Sequence, residues 1–423
     1  MHTDLPIEQG SRPIWDIFCQ IIDNFGDIGV CWRLAADLAQ RGQEIRLWVD
    51  DPGALDWMAP GANEGAFDDI TVLPWQQASL ASTVRLLAPS HVWIEAFGCE
   101  IPLEFVQMRS EWISEGQNAS SAMPLPPPVW INLEYLSAED YVGRSHGLLS
   151  PVMQGPGKGW SKYFFYPGFT PQTGGLIREQ DLADRQAQFD HRAWLEKFGA
   201  DPSGETIISL FSYEPDALIS LMGRWQQSRR PVHLLVTQGR SARWAAKCLT
   251  RLNEVNSSPE SLDKVEKLVR VLNANQEGTH HFRINQLRVT WLPHLTQRDF
   301  DHLLWSSDFN FVRGEDSLVR AIWSGKPFVW QAYPQSDLAH GNKLQAFLQE
   351  TGANKDLCDV HWVWNDLIQA DALTVPSQDS ESSLGKLELA QWRVWAQSLK
   401  ARLQTHDDLA SALLRFIHKA AKI

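Results

Sequence analysis

The sequence predicts an α/β protein made of two Rossmann-like halves, and three observations predict it. Strand-length apolar runs alternate with helix-period segments from Trp15 to Leu133, and again from Thr206 to Trp330. Two strand-to-helix junctions, Asp23 to Gly29 and Arg313 to Ser317, join turn residues to charged side chains, as ligand loops at the carboxyl ends of parallel strands do. A chain of 423 residues with 43% hydrophobic content can fill more than one core. The halves are assigned as 1–190, joined by a C-terminal helix at about 400–423, and 191–399.

In the first half, Ile17 to Ile22 is a nearly continuous apolar run suited to a strand buried on both faces. Asp23-Asn24-Phe25-Gly26-Asp27-Ile28-Gly29 breaks it, and a helical period through Val30, Leu34 and Leu38 ends near Gly42. Ile45 to Val49 completes a βαβ unit. Ile70 to Leu73, His91 to Phe97 and Val129 to Leu133 read as further strands, and Ile101 to Trp112 as a helix. Gly116 to Pro128 reads as a loop rich in Ser and Pro. Gly155 to Gly159 is glycine-rich, but it neither follows a strong strand nor opens a helix, so it is read as a loop.

Gln180 to Phe198 has a helical, polar pattern. The second series starts with a strand at Thr206 to Phe211 and a helix at Asp216 to Gln227. Pro231 to Thr237, Leu287 to Leu292, Asp308 to Val312 and Pro327 to Trp330 are its other strands, and Asn253 to Thr279 a charged insertion with one helix. Helices are expected at Phe300 to Ser306, at Leu318 to Ser324 before Gly325, and, as one or two, from Trp392 to Ile423.

Composition removes several classes of function. A net charge of −13 is the wrong sign for a nucleic-acid footprint or an anionic membrane surface. No run of 18 apolar residues predicts a transmembrane helix, and Met1 to Arg12 is polar, without a signal-peptide core. Five scattered cysteines without a CxxC pair predict a reduced, cytoplasmic protein in which they serve as small hydrophobes. The twenty tryptophans are expected mostly in cores, with some lining sites.

The two junctions carry the chemistry. In the first, Asp27 is placed either to cap its helix or, with Asp23, to meet a cationic or hydroxylic partner. In the second, the helix start offers bare N–H groups and positive dipole to a phosphate, and Arg313 adds a bidentate cation. Asp316 or Ser317 is placed to cap that helix. Glu315 suits a sugar hydroxyl or a solvated helix start better than it suits a phosphate.

The Asp23 to Gly29 loop with Cys31-Trp32-Arg33 behind it, His91 to Gly98, Asn132 to Glu139, Tyr166 to Leu176 and Arg313 to Ser317 occur in an order that resembles the protein-arginine rhamnosyltransferases acting on elongation factor P. The resemblance implies a GT-B fold, two Rossmann-like domains facing a cleft. It implies dTDP-β-L-rhamnose as donor, one arginine of elongation factor P as acceptor, inversion at the sugar carbon, and no metal or other cofactor. It assigns the essential acids to Asp23, Asp27 and Glu315. It assigns donor contacts to Phe211, Tyr213, Gln297, Phe300, Arg313, Asp316 and Ser317. The chain departs from the family pattern at His294, after Leu292-Pro293, where an aromatic of the base pocket is expected.

The chemistry of the residues agrees with that implication. A guanidinium stays protonated near neutral pH, so a nucleophilic arginine nitrogen needs carboxylates to hold it and to take its proton as the C–N bond forms. No HExxH, CxxC or DxD-type triplet suggests a metal. A transferase with another acceptor satisfies the same donor residues, and a non-catalytic module docking on a translation factor is the reading from another class. The missing GxGxxG fingerprint speaks against a nicotinamide oxidoreductase.

Overall fold

A computed structural model describes residues 12–22, 25–118, 126–256, 267, 269–272, 278–335, 338–368 and 386–421. The chain divides into two compact units, Met1–Leu182 with Leu403–Ile423, and Ala183–Arg402.

The first unit holds a seven-stranded sheet of β1 (Ile14–Cys19), β2 (Glu44–Val49), β3 (Ile70–Pro74), β4 (Val92–Ala96), β5 (Val129–Leu133), β6 (Leu149–Pro151) and β7 (Ser161–Phe165). Their order is β3-β2-β1-β4-β5-β7-β6, parallel except for β6 against β7. β1 is buried along nearly its whole length, as a central strand covered on both faces must be. One polar group sits inside it. Asp16 accepts from Arg46 Nε at 2.7 Å and Nη2 at 2.6 Å, and from Trp48 Nε1 at 2.7 Å, which leaves the buried carboxylate fully engaged and ties β1 to β2.

The expected run Ile17 to Ile22 is shifted. The strand begins at Ile14 and ends at Cys19, and Ile22, 66% exposed, has left the sheet for the loop. The chain's end returns to this unit as a helix, Leu409–Ala420, capped by Asp408, whose carboxylate also binds Arg41 at 2.8 Å. Gly175, at φ +71, lets that turn approach, because a Cβ there would lie 2.1 Å from the Asp407 carbonyl oxygen.

The second unit holds six strands, β8 (Thr206–Leu210), β9 (Val232–Val236), β10 (His280–Ile284), β11 (Leu287–Trp291), β12 (Phe309–Arg313) and β13 (Phe328–Gln331). Their order is β10-β11-β9-β8-β12-β13, with only β10 antiparallel to its neighbour. Tryptophan fills the interiors as composition predicts: Trp15, Trp48, Trp93, Trp291, Trp305, Trp323, Trp364 and Trp392 are all nearly inaccessible. A buried ion pair, Arg320 with both oxygens of Asp301 at 2.8 and 2.7 Å, joins the helices Gln297–Ser306 and Gly314–Ser324.

Several elements differ from the sequence reading. The Gln180 to Phe198 helix is two short helices, Leu182–Gln188 and His191–Glu196, because Asp190 caps the second by accepting from Ala193 N–H. The Leu103–Asn118 helix runs into the expected loop, whose residues 119–125 lie outside the described set. Much of the 253–279 insertion does too. Strands β6, β7 and β10 and the helices Arg240–Asn256, His340–Glu350 and Lys355–Trp364 were not foreseen. The edge strands β6 and β10, and β7 beside β6, are at most half-buried along most of their length and lack a continuous buried apolar run.

Burial holds the His361 imidazole down at about 4, below its ordinary 6.5. Its Nε2 accepts the Trp330 N–H at 3.1 Å, and Nδ1 meets the Leu357 carbonyl at 2.8 Å. Below the ordinary value the unfolded chain takes up a proton that the folded chain refuses. The stability tied to neutral His361 is therefore complete above pH about 6.5 and is lost as pH falls towards about 4. In urea denaturation, the advantage of wild type over His361→Gln should shrink by about 2 kcal/mol between about pH 7 and about pH 5. A difference that does not move with pH would contradict this.

Candidate functional site

In the second unit β8 is the first strand of its series, with β9 on one side and β12 on the other. That reversal of winding direction is the point at which open α/β sheets bind ligands. It sets the loop after β8 beside the loop after β12. Phe211 and Tyr213 lie in the first loop, Arg313 at the head of the second. The Arg313 guanidinium carbon lies 4.7 Å from the centre of the Phe211 ring and 4.4 Å from that of Tyr213. Stacked guanidinium–aromatic contacts of this kind contribute about 1–2 kcal/mol when partly desolvated.

The surroundings fix each partner. Phe211 N–H donates to the Phe311 carbonyl at 2.9 Å, and Tyr213 N–H to Gln331 Oε1 of β13 at 2.9 Å. Phe300 meets Phe211 edge-on, with centroids 5.4 Å apart, from the first turns of the Gln297–Ser306 helix. Gln297 opens that helix, whose cap is Thr296, accepting from Asp299 N–H at 3.0 Å. His294 is exposed in the loop just before it.

Gly314 turns the chain from β12 into its helix at φ +64. The expected cap is revised here. Arg313 occupies the cap position, and no side chain caps the helix start. Ser317 instead reaches back, accepting the Arg313 N–H at 3.0 Å and donating to the Arg313 carbonyl. Asp316 lies on the same first turn, as does Glu315, which pairs with Lys343 Nζ at 2.5 Å. The seven residues expected at a donor site thus gather on two helix starts and one strand-end loop. Lys343 and Tyr333, the latter edge-on to Tyr213 at 5.7 Å, were missed. Neither lies in a junction whose spacing singles it out.

In the first unit, Asp23 lies outside the described residues. The capping alternative for Asp27 is excluded, since the helix Gly26–Gln40 has Phe25 at its cap and Asp27 already inside its first turn. The Asp27 carboxylate is buried and accepts the Ile22 N–H at 2.8 Å, closing the loop on itself. Asp50, at the end of β2, accepts the Ile21 N–H at 3.1 Å and fixes the same loop from the other side. Arg33 forms a buried ion pair with Glu179 at 3.2 Å and acts as structure.

The other blocks of the sequence pattern close neighbouring strands. After β4, Phe97 adopts φ +58, a conformation costly for a bulky residue, and stacks on Tyr135 at 4.7 Å. Burial raises the Glu95 carboxyl, against the opposing pull of Lys162 Nζ at 2.8 Å. Burial also raises Glu134, which Asn132 holds at 2.8 Å. Among the described residues no group of three or more His, Cys, Asp or Glu is placed to hold a metal ion.

Two doubly wound sheets in one chain are the architecture of the GT-B glycosyltransferases. A solved structure with this fold, described as the structural basis for EarP-mediated arginine glycosylation of translation elongation factor EF-P, is 28% identical. Its TM-score is 0.56, over 97% of this chain and 100% of that one. A family model described as Elongation-Factor P (EF-P) rhamnosyltransferase EarP matches residues 15–418. A protein-arginine rhamnosyltransferase of Pseudomonas putida is 39% identical over 96% of this chain and 98% of its own length. One of Pseudomonas aeruginosa is 36% identical over 95% and 98%. The chain belongs to the EF-P rhamnosyltransferase family, and with it to the glycosyltransferases.

Ser317→Ala removes both contacts with the Arg313 main chain. Unfolding free energy should fall by about 1–3 kcal/mol in chemical denaturation. A loss within error of zero would show that the hydroxyl does not hold this turn.

Proposed function

We propose that this protein transfers L-rhamnose from dTDP-β-L-rhamnose to an arginine side chain of elongation factor P, with inversion. Arg313 over Phe211 and Tyr213 at a helix start is the observation that carries this reading. The aromatic faces suit a nucleoside base. The guanidinium and the first-turn N–H groups suit the diphosphate that departs.

As the arginine nitrogen bonds to the anomeric carbon, the bond from that carbon to the diphosphate oxygen breaks, and its electron pair leaves on dTDP. The nitrogen's proton passes to a carboxylate. Asp23 and Asp27 are assigned to the acceptor guanidinium, and Glu315 to a sugar hydroxyl. Arg313 and the helix dipole meet the charge that develops on the leaving group, so the reaction is assigned no divalent cation. No described helix is long and apolar enough to cross a membrane. The described cysteines are free, which accords with work in the reducing cytoplasm.

Intact-mass analysis of elongation factor P, after incubation with this protein, dTDP-rhamnose and EDTA, should show the gain of one deoxyhexose. No gain in EDTA and a gain with magnesium would overturn the metal-free assignment; no gain under either condition would overturn the donor–acceptor pairing. In the same assay Asp27→Asn should turn over about 10²-fold more slowly, the scale of a lost acid–base group. The amide keeps an oxygen for the Ile22 N–H, so the loop stays closed while the charge is gone. Near-normal turnover would leave Asp27 a structural residue.

A further inference from the structure

The loop after β8 carries one more charged group than the donor site described above uses. Glu214 follows Tyr213 directly, and its carboxylate is held bidentately by Arg240, at 2.7 Å through Nε and again through Nη2. Arg240 opens the 17-residue helix Arg240–Asn256 that follows β9. Its guanidinium lies 4.9 Å from the centre of the Tyr213 ring, the same ring that Arg313 approaches at 4.4 Å. Two like charges near one tyrosine ring repel each other, and an anion beside them offsets that repulsion.

The loops that carry them are locked together. Ser241 Oγ accepts the Ser212 N–H at 2.8 Å and donates to the Ser212 carbonyl at 2.9 Å, and Trp244 Nε1 donates to the Pro215 carbonyl at 2.9 Å. Arg240 is thus set beside Tyr213 by the same backbone that sets that ring. The Arg240 hydrogen bonds hold Glu214 below the usual carboxylate range, and the charges of Arg313 and Arg243 add to the effect, while burial opposes it. Glu214 thus lies in the field of three guanidiniums. The pair is about a third exposed, 34% for Arg240 and 37% for Glu214, so solvent and ligands reach it.

We propose that Arg240 is a second diphosphate-binding arginine of the donor site and that Glu214 is its resident counter-ion, displaced when a nucleoside diphosphate binds. This rests on the donor-site reading above. A diphosphate presents oxygens on two phosphorus atoms, which suits two arginine forks better than one. A carboxylate tethered in the loop neutralises the forks in the empty site and competes with the ligand for them. A merely structural exposed pair would leave ligand affinity alone.

The test is titration calorimetry with dTDP and with thymidine, which lacks phosphate, on wild type, Glu214→Gln, Arg240→Met and Arg313→Ala. Glu214→Gln should bind dTDP about threefold or more tighter, a gain that misfolding cannot produce. Arg240→Met should bind it about tenfold more weakly, and neither change should alter thymidine binding. Wild type that binds no dTDP would remove the donor-site reading and this inference together. Binding that depends on Arg313 while Glu214→Gln and Arg240→Met match wild type would keep the donor site and overturn this inference alone. A loss in Arg240→Met that is equal for thymidine would also overturn it.

Discussion

The structure of the second unit depends on one constraint, the placing of β12 against β8. Because these two strands are parallel neighbours at the point where the sheet's winding reverses, their carboxyl ends deliver Phe211, Tyr213 and Arg313 to one spot. β13 adds Gln331 from the next strand to hold the Tyr213 backbone. The buried Asp301–Arg320 pair fixes the two helices whose first turns supply Gln297, Phe300 and Glu315 to Ser317. A charged guanidinium that is 93% removed from water would be costly without partners, and stacking on two rings offsets part of that cost.

The first unit uses the same geometry for a different end. Its β1 and β4 stand at the corresponding reversal, but the loop after β1 is acidic and is closed by carboxylates accepting backbone N–H groups, Asp27 from Ile22 and Asp50 from Ile21. The loop after β12 starts with an arginine stacked on two rings, whereas the loop after β1 carries buried and backbone-bonded carboxylates. The proposed reaction assigns the anionic leaving group to the second unit and the cationic acceptor side chain to the first.

Much of this was legible in the sequence. Central parallel strands are long apolar runs, and the loops that follow them stand out by their Gly, Asp and Arg content. What the pattern hid has physical reasons. The edge strands β6 and β10, and β7 beside β6, are poorly buried, so they lack the continuous apolar run of a central strand. The end of β1 was misplaced because Ile21 and Ile22 continue the apolar run after the chain has left the sheet. The helix after β12 begins four residues before its first apolar residue, since Gly314 makes the turn and the first turn is polar. Lys343 and Arg240 reach the site from elements distant in sequence, so no local spacing announces them. The role of Asp27 stayed open between cap and ligand contact until the helix start was located at Phe25 and Gly26.

The central claim is that a flat guanidinium between Phe211 and Tyr213, rather than positive charge alone, makes the donor site. Arg313→Lys keeps the charge and the strand but loses the plane that stacks and the fork that grips two oxygens. Calorimetric titration of dTDP into the wild type and this variant measures that difference directly. The account predicts an affinity at least about tenfold weaker for the lysine variant, with a cooperative unfolding transition retained. Equal affinity would show that the stacked arginine is not what binds the nucleotide, and would contradict the account.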